Sequence, residues 1–166
     1  MIPLRVVSAW VLLVLMCPVA MLGHDPFDIT SQAQLLPGGI ELRLTLASST
    51  ARRILHGKSG TIRPEEFAAF RAEIERRASQ FLRVSADNTP LVPKRIGVEL
   101  TLDDDVKILL EFPASHAPKF RFEASLLRML ATDGYTVFLL VRGRHDQAVH
   151  ERLTLEKPDC EIPAFR

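Results

Sequence analysis

The stretch IELRLTL, at residues 40–46, alternates strictly between apolar and polar side chains. A period of two is typical of a β-strand with one face on a core and the other in solvent. The preceding stretch, FDITSQAQLL at residues 27–36, alternates more loosely, and Pro37, Gly38 and Gly39 separate the two. Turn-forming residues between two alternating runs predict a β-hairpin.

The segment after this hairpin has helical signals. Ser48, Ser49 and Thr50 carry hydroxyls that can cap a short helix, and Gly57 can end it. Pro64 then opens a longer predicted helix, on which apolar residues recur every three or four positions. We expect this stripe to face the core and residues 48–82 to form a helical insertion. The stripe consists of Phe67, Phe70, Ile74, Ala78 and Phe81.

Strand signals return after Val84. Alternating or apolar runs at residues 96–102, 106–112, 120–126, 135–141 and 148–155 are separated by short polar turns. The sequence has no alternation of strands with helices and no internal repeat. It therefore predicts a mainly β fold, an antiparallel immunoglobulin-like β-sandwich with a helical insertion, and a compact α+β roll is the alternative.

The first 23 residues are typical of an export signal. Arg5 precedes the uncharged run VVSAWVLLVLMCPVAML at residues 6–22, and Gly23 is a small residue at the expected cleavage point. We expect residues 24–166 to form a single extracytoplasmic β-rich domain, periplasmic or secreted, with no transmembrane span after cleavage. The alternative is an uncleaved amino-terminal helix that anchors the chain, although this apolar run is short for a bilayer and Pro18 interrupts it.

Composition and charge argue against several classes of function. The 166 residues are 47% hydrophobic and 25% charged, as in an ordinary globular protein. Lys and Arg number 21 against 20 for Asp and Glu, so no basic surplus is available to neutralise nucleic-acid phosphates. The sequence contains no phosphate-binding loop, nucleophile elbow or zinc-protease motif. We expect a non-catalytic protein with no nucleic-acid partner.

Candidate metal ligands are scattered along the chain. The acids Asp103, Asp104 and Asp105 lack the spacing of a calcium-binding loop and are expected at a solvated hairpin end. His145 and His150 are five residues apart, a spacing that points them to opposite faces of a strand. His56 and His116 are expected in loops, and Cys160 is expected to be a thiol of the carboxy-terminal tail.

His24 is the candidate metal ligand because it would begin the mature chain. Its α-amine and ring nitrogen can bind one copper or nickel ion together, and a second imidazole would complete a three-nitrogen site. The amine must lose its proton to bind, so the affinity would rise with pH. The second ligand remains open among the other histidines.

The start HDPFDI, at residues 24–29, resembles the exported amino-terminal region of HupE/UreJ-like membrane proteins. The similarity continues through IELRLTL, STARRIL at residues 49–55, RPEEFAAF at residues 63–70 and the strands after Tyr135. That family is linked to nickel and to hydrogenase or urease accessory functions. Its members continue into several transmembrane helices, whereas this sequence stops at Arg166, so their transport function is not implied. The resemblance implies an accessory or interaction module that acts beside a separately encoded membrane protein.

Overall fold

Two β-sheets and a few short helices make up the computed structural model, which describes residues 27–130, 134–144 and 147–165. The strands are β1 (Asp28–Leu36), β2 (Gly39–Ala47), β3 (Arg83–Ala86), β4 (Thr89–Pro90), β5 (Arg95–Leu100), β6 (Asp105–Pro113), β7 (Lys119–Glu123), β8 (Thr136–Arg142), β9 (Ala148–Leu153) and β10 (Asp159–Pro163). The helices are α1 (Ser48–His56), α2 (Phe67–Arg77) and α3 (Leu126–Leu130), and one turn of 3-10 helix covers Ala78–Gln80.

The larger sheet has the strand order β5-β6-β2-β1-β8-β9, and the smaller sheet has the order β10-β7-β3-β4. This arrangement confirms a mainly β fold of two sheets with a small helical insertion. One pairing differs from the antiparallel expectation, because β1 and β8 run parallel. β8 follows a helix, α3, and not a tight turn from a neighbouring strand, so its direction is not forced to be opposite.

Both sheets contribute to one hydrophobic core. On β2 the alternation predicted from the sequence is confirmed, since Leu42, Leu44 and Leu46 are at most 1% exposed while Arg43 points to solvent. The smaller sheet adds apolar side chains from β3, β7 and β10 to the same cluster. We call the face of the larger sheet that packs on this core its inner face, and the opposite face its outer face.

Helix α1 ends as predicted but begins differently. Gly57 adopts a φ of 66°, and its N–H donates to the carbonyl oxygen of Arg53. The N-cap residue is Ala47, which has no hydroxyl, and the Ser48 Oγ accepts from the Ile62 N–H at 3.3 Å. This hydrogen bond ties the loop after α1 back to the start of the helix.

The apolar stripe of the second helix is buried only in its second half. Ile74, Ala78 and Phe81 are fully buried, whereas Phe67 and Phe70 are half-buried. The Phe70 ring packs on α1, with the Arg52 guanidinium 4.9 Å and the His56 ring 5.0 Å from its centroid. The first half of the stripe therefore packs on another helix and its charged side chains.

Ion pairs join the two helices near their connecting loop. Glu66 accepts from Arg52 of α1, and its other carboxylate oxygen accepts from the Arg63 guanidinium at 2.6 Å. The hydrogen bond from Arg63 is the main reason that the pKa of Glu66 falls to about 2. Because folding lowers this pKa, the ion pairs of Glu66 stabilise the folded state at pH values above the ordinary pKa of a glutamate. This stabilisation is lost as the pH falls towards 2.

Two expectations for the carboxy-terminal third are wrong. The strand predicted at residues 120–126 ends at Glu123, and Leu126 instead begins the helix α3. Residues 159–163 are not a tail but the strand β10, which pairs with β7 and places Ile162 opposite Phe120. Burial of apolar side chains on both elements explains the difference, since Leu126, Leu127 and Ile162 are at most 1% exposed.

Candidate functional site

The outer face of the larger sheet is its accessible side. Its side chains range from half-buried to exposed, in contrast to the buried positions between them. We call the part formed by β8 and β9 the β8–β9 patch; it consists of Phe138, Leu140, Arg142, His150 and Arg152. Thr30, Gln32 and Gln34 of β1 border the patch, because they lie opposite its β8 residues in the register.

The centre of the β8–β9 patch is apolar. Phe138 lies opposite Arg152 in the strand register, and Leu140 lies opposite His150. The Phe138 side chain is 42% exposed, and a shallow cavity of about 210 Å³ lies beside it. Phe138 and the half-buried Leu140 together form an apolar group on this face, and exposed apolar patches rimmed by polar residues mark many interaction sites.

The two ends of the β8–β9 patch are positively charged. Within the described parts of the chain, neither Arg142 nor Arg152 makes an ion pair, and the outward positions at residues 30–34, 138–142 and 148–152 include no carboxylate. Glu151 points to the inner side and pairs with Lys157 at 3.3 Å. An accessible apolar centre between unpaired guanidiniums can bind groups that combine apolar and negatively charged atoms.

The other half of the outer face is electrically balanced. Arg43 pairs with Glu41 at 2.7 Å, and Arg95 pairs with Glu111 at 3.3 Å. A groove of about 560 Å³ crosses this half, and Gly97 lies among its lining residues. Its charged lining residues are Arg43, Arg71, Lys107 and Glu99. Arg43 and Arg71 form ion pairs with Glu41 and Glu75, and Lys107 lies opposite Glu99 in the strand register, so each cation already has an acidic neighbour.

The histidines that the structure describes are far apart in the fold. The His56 Nε2 lies 3.4 Å from a Glu73 carboxylate oxygen, between α1 and α2. His116 lines a cavity of about 500 Å³, and His150 is on the β8–β9 patch. In the ranges described, no three His, Cys, Asp or Glu side chains gather as a metal site would require. His24 and His145 lie outside these ranges, as does the predicted export signal.

The acidic cluster and the cysteine that the sequence analysis considered lie in a turn and in a strand of the fold. Asp103 and Asp104 are exposed in the turn between β5 and β6, as expected, and the Asp104 carbonyl oxygen accepts from the Ser48 N–H at 2.8 Å. Cys160 is 7% exposed on β10, and burial raises the pKa of its thiol to about 11. A thiol with so high a pKa is protonated at neutral pH and is a poor nucleophile.

No model of a known protein family matches the chain, and a search of the curated proteins finds no match either.

The β8–β9 patch is not evident from the sequence alone. The stretch YTVFLLV at residues 135–141 is almost uniformly apolar, so its pattern does not show which side chains face outwards. The partner strand gives little signal either, because His150, Glu151 and Arg152 are polar at three consecutive positions and only Val149 and Leu153 indicate the inner face.

No helix in the described ranges has the length and hydrophobicity of a membrane span.

Proposed function

We propose that the protein is a non-catalytic extracytoplasmic interaction module that binds its partner through the outer face of the larger sheet. The observation that carries the proposal is the accessible Phe138 side chain, 42% exposed on a sheet face that also presents Arg142 and Arg152. Aromatic and arginine side chains dominate the binding energy of many protein interfaces. The β8–β9 patch has both.

The location and the partner class are supported by the sequence. The basic start and the apolar run at residues 6–22 favour export, and the resemblance of residues 24–29 favours an accessory role beside a separately encoded membrane protein. We therefore propose that the partner is a membrane protein with an extracytoplasmic part.

Export can be tested by amino-terminal sequencing of the protein recovered from the periplasm or the medium. We expect the sequence to begin at His24, because Gly23 is the small residue at the end of the apolar run. An intact Met1 in a membrane fraction would instead identify an uncleaved anchor.

The interaction can be tested in cells with a photo-crosslinking phenylalanine analogue in place of Phe138. We expect a discrete adduct with a membrane protein, which the additional substitutions Arg142→Glu and Arg152→Glu reduce strongly. Leu102 is the matched control, since its fully exposed side chain lies at the turn between β5 and β6. The same adduct from Leu102, or none from Phe138, would contradict the proposal.

The second candidate function is metal binding with His24, which the position of this residue at the predicted start of the mature chain favours. Copper(II) should then bind the processed protein but not a form with one residue added before His24. The addition keeps every side chain and removes the chelate of α-amine and ring.

A further inference from the structure

The charge of the β8–β9 patch points to one kind of partner segment. We infer that the patch binds an extended acidic peptide segment, in which two carboxylates contact Arg142 and Arg152 and an apolar side chain between them contacts Phe138 and Leu140. This inference rests on the proposed function and specifies its partner.

The charge of the β8–β9 patch is complementary to that of an acidic segment. Arg142, Arg152 and His150 share the patch, and the outward positions of β8 and β9 carry no carboxylate. On the same face of the neighbouring strands, Asp28 lies at the start of β1, and Glu41 of β2 lines a small cavity with Arg142 but is paired with Arg43. A guanidinium forms its strongest hydrogen bonds with carboxylates, which it can bind through two parallel N–H groups. An acidic partner would supply the ion pairs that the patch lacks.

The spacing of the two arginines matches that of side chains on one face of an extended peptide. Arg152 lies opposite Phe138 and Arg142 lies opposite Ala148, so the two arginines are separated by four residues along the strand direction. At about 3.3 Å per residue, this separation is about 13 Å. Side chains at positions i and i+4 of an extended peptide share one face and have the same spacing, and position i+2 lies between them. The side chain at i+2 would meet the apolar centre of the patch.

Other occupants fit the β8–β9 patch less well. A second copy of this chain, docked by the same patch, would bring arginines of two molecules together, and like charges at an interface are unfavourable. Nucleic acids require a larger surplus of cations than two arginines to neutralise their phosphates. The patch therefore favours an acidic peptide over these alternatives.

The experiment measures fluorescence anisotropy of two labelled peptides with the processed protein. In Ser-Glu-Ser-Leu-Ser-Glu-Ser-amide the glutamates stand at i and i+4, and in Ser-Glu-Ser-Leu-Glu-Ser-Ser-amide they stand at i and i+3; each peptide carries the fluorophore on its amino-terminal nitrogen. The peptides have the same composition and charge, but only the first has both glutamates on one face. We expect the first peptide to bind about tenfold more tightly than the second.

Charge reversal supplies the matched variants. Arg142→Glu and Arg152→Glu should each weaken the binding of the first peptide by about tenfold, since each replaces one ion pair with a repulsion. Arg83→Glu, at an exposed position on β3 of the smaller sheet, should change it by less than about twofold. Unchanged thermal unfolding of the three variants would show that each remains folded.

Several results would overturn the inference. These are equal affinities for the two peptides, no binding at about 1 mM peptide, or equal effects of the three charge reversals. Binding of vesicles that contain phosphatidylglycerol, or of a single-stranded oligonucleotide, in place of the peptide would also overturn it. If the photo-crosslinked adduct at Phe138 forms but neither peptide binds, the inference of an acidic segment is wrong and the proposed interaction module is retained. If no adduct forms at Phe138, the proposed function itself is wrong.

Discussion

Replacing Phe81 with alanine is expected to lower the free energy of unfolding by about 3 to 5 kcal/mol. The Phe81 side chain is fully buried at the point where the helical insertion meets the smaller sheet, and its carbonyl oxygen accepts from the Leu126 N–H at 2.9 Å. Removal of the ring leaves a cavity that rigid neighbours on both elements fill only in part. Denaturant unfolding followed by circular dichroism measures the loss.

The matched control for Phe81→Ala is Leu102→Ala. Leu102 is also a large apolar residue, but its side chain is fully exposed, so its truncation should change the free energy of unfolding by less than about 0.5 kcal/mol. Phe70→Ala should fall between the two, because Phe70 is half-buried against Arg52 and His56. Equal losses for Phe81 and Leu102 would show that Phe81 is not a core residue.

Replacing Gly39 with alanine is expected to cost roughly 3 kcal/mol or more. Gly39 has a φ of 148°, and a Cβ added there would lie 2.1 Å from the Phe112 carbonyl oxygen. The clash is with the backbone of β6, which cannot move aside as a flexible side chain can. The pairing of β2 with β6 would have to shift, and we expect a strongly lowered denaturation midpoint or failure to fold.

Gly38 provides the control for Gly39→Ala within the same turn. A Cβ added at Gly38 meets no atom within 4 Å, so Gly38→Ala should leave the denaturation midpoint nearly unchanged. A similar loss at both positions would mean that the turn depends on the flexibility of glycine and not on the close approach of Phe112.

Local patterns of the sequence predicted the parts of the fold that depend on neighbouring residues. The hairpin of β1 and β2 followed from strict alternation at residues 40–46, and the end of α1 followed from Gly57. The stripe of the second helix was predicted correctly only from Ile74 onwards. Periodicity identifies an apolar face, but it does not show that Phe70 packs against the charged side chains of α1.

Features that depend on pairing between distant strands were not predictable in the same way. The strand β10 is five residues long, too short for a clear alternation, and its pairing with β7 decides its structure. The β8–β9 patch likewise exists only because the register places Arg152 beside Phe138 and His150 beside Leu140. A one-residue shift of that register would place different side chains on the outer face.

The parallel pairing of β1 with β8 has a consequence for the order of folding. Asp28 lies opposite Thr136, so these two strands are separated by roughly a hundred residues of chain. Until residues 136–142 are available to pair, one edge of β1 has no partner strand. Within the described residues, β9 pairs with β8 alone and follows it in the chain. A partner that recognises the β8–β9 patch would therefore engage only chains whose larger sheet is complete, which excludes partly folded molecules from the complex.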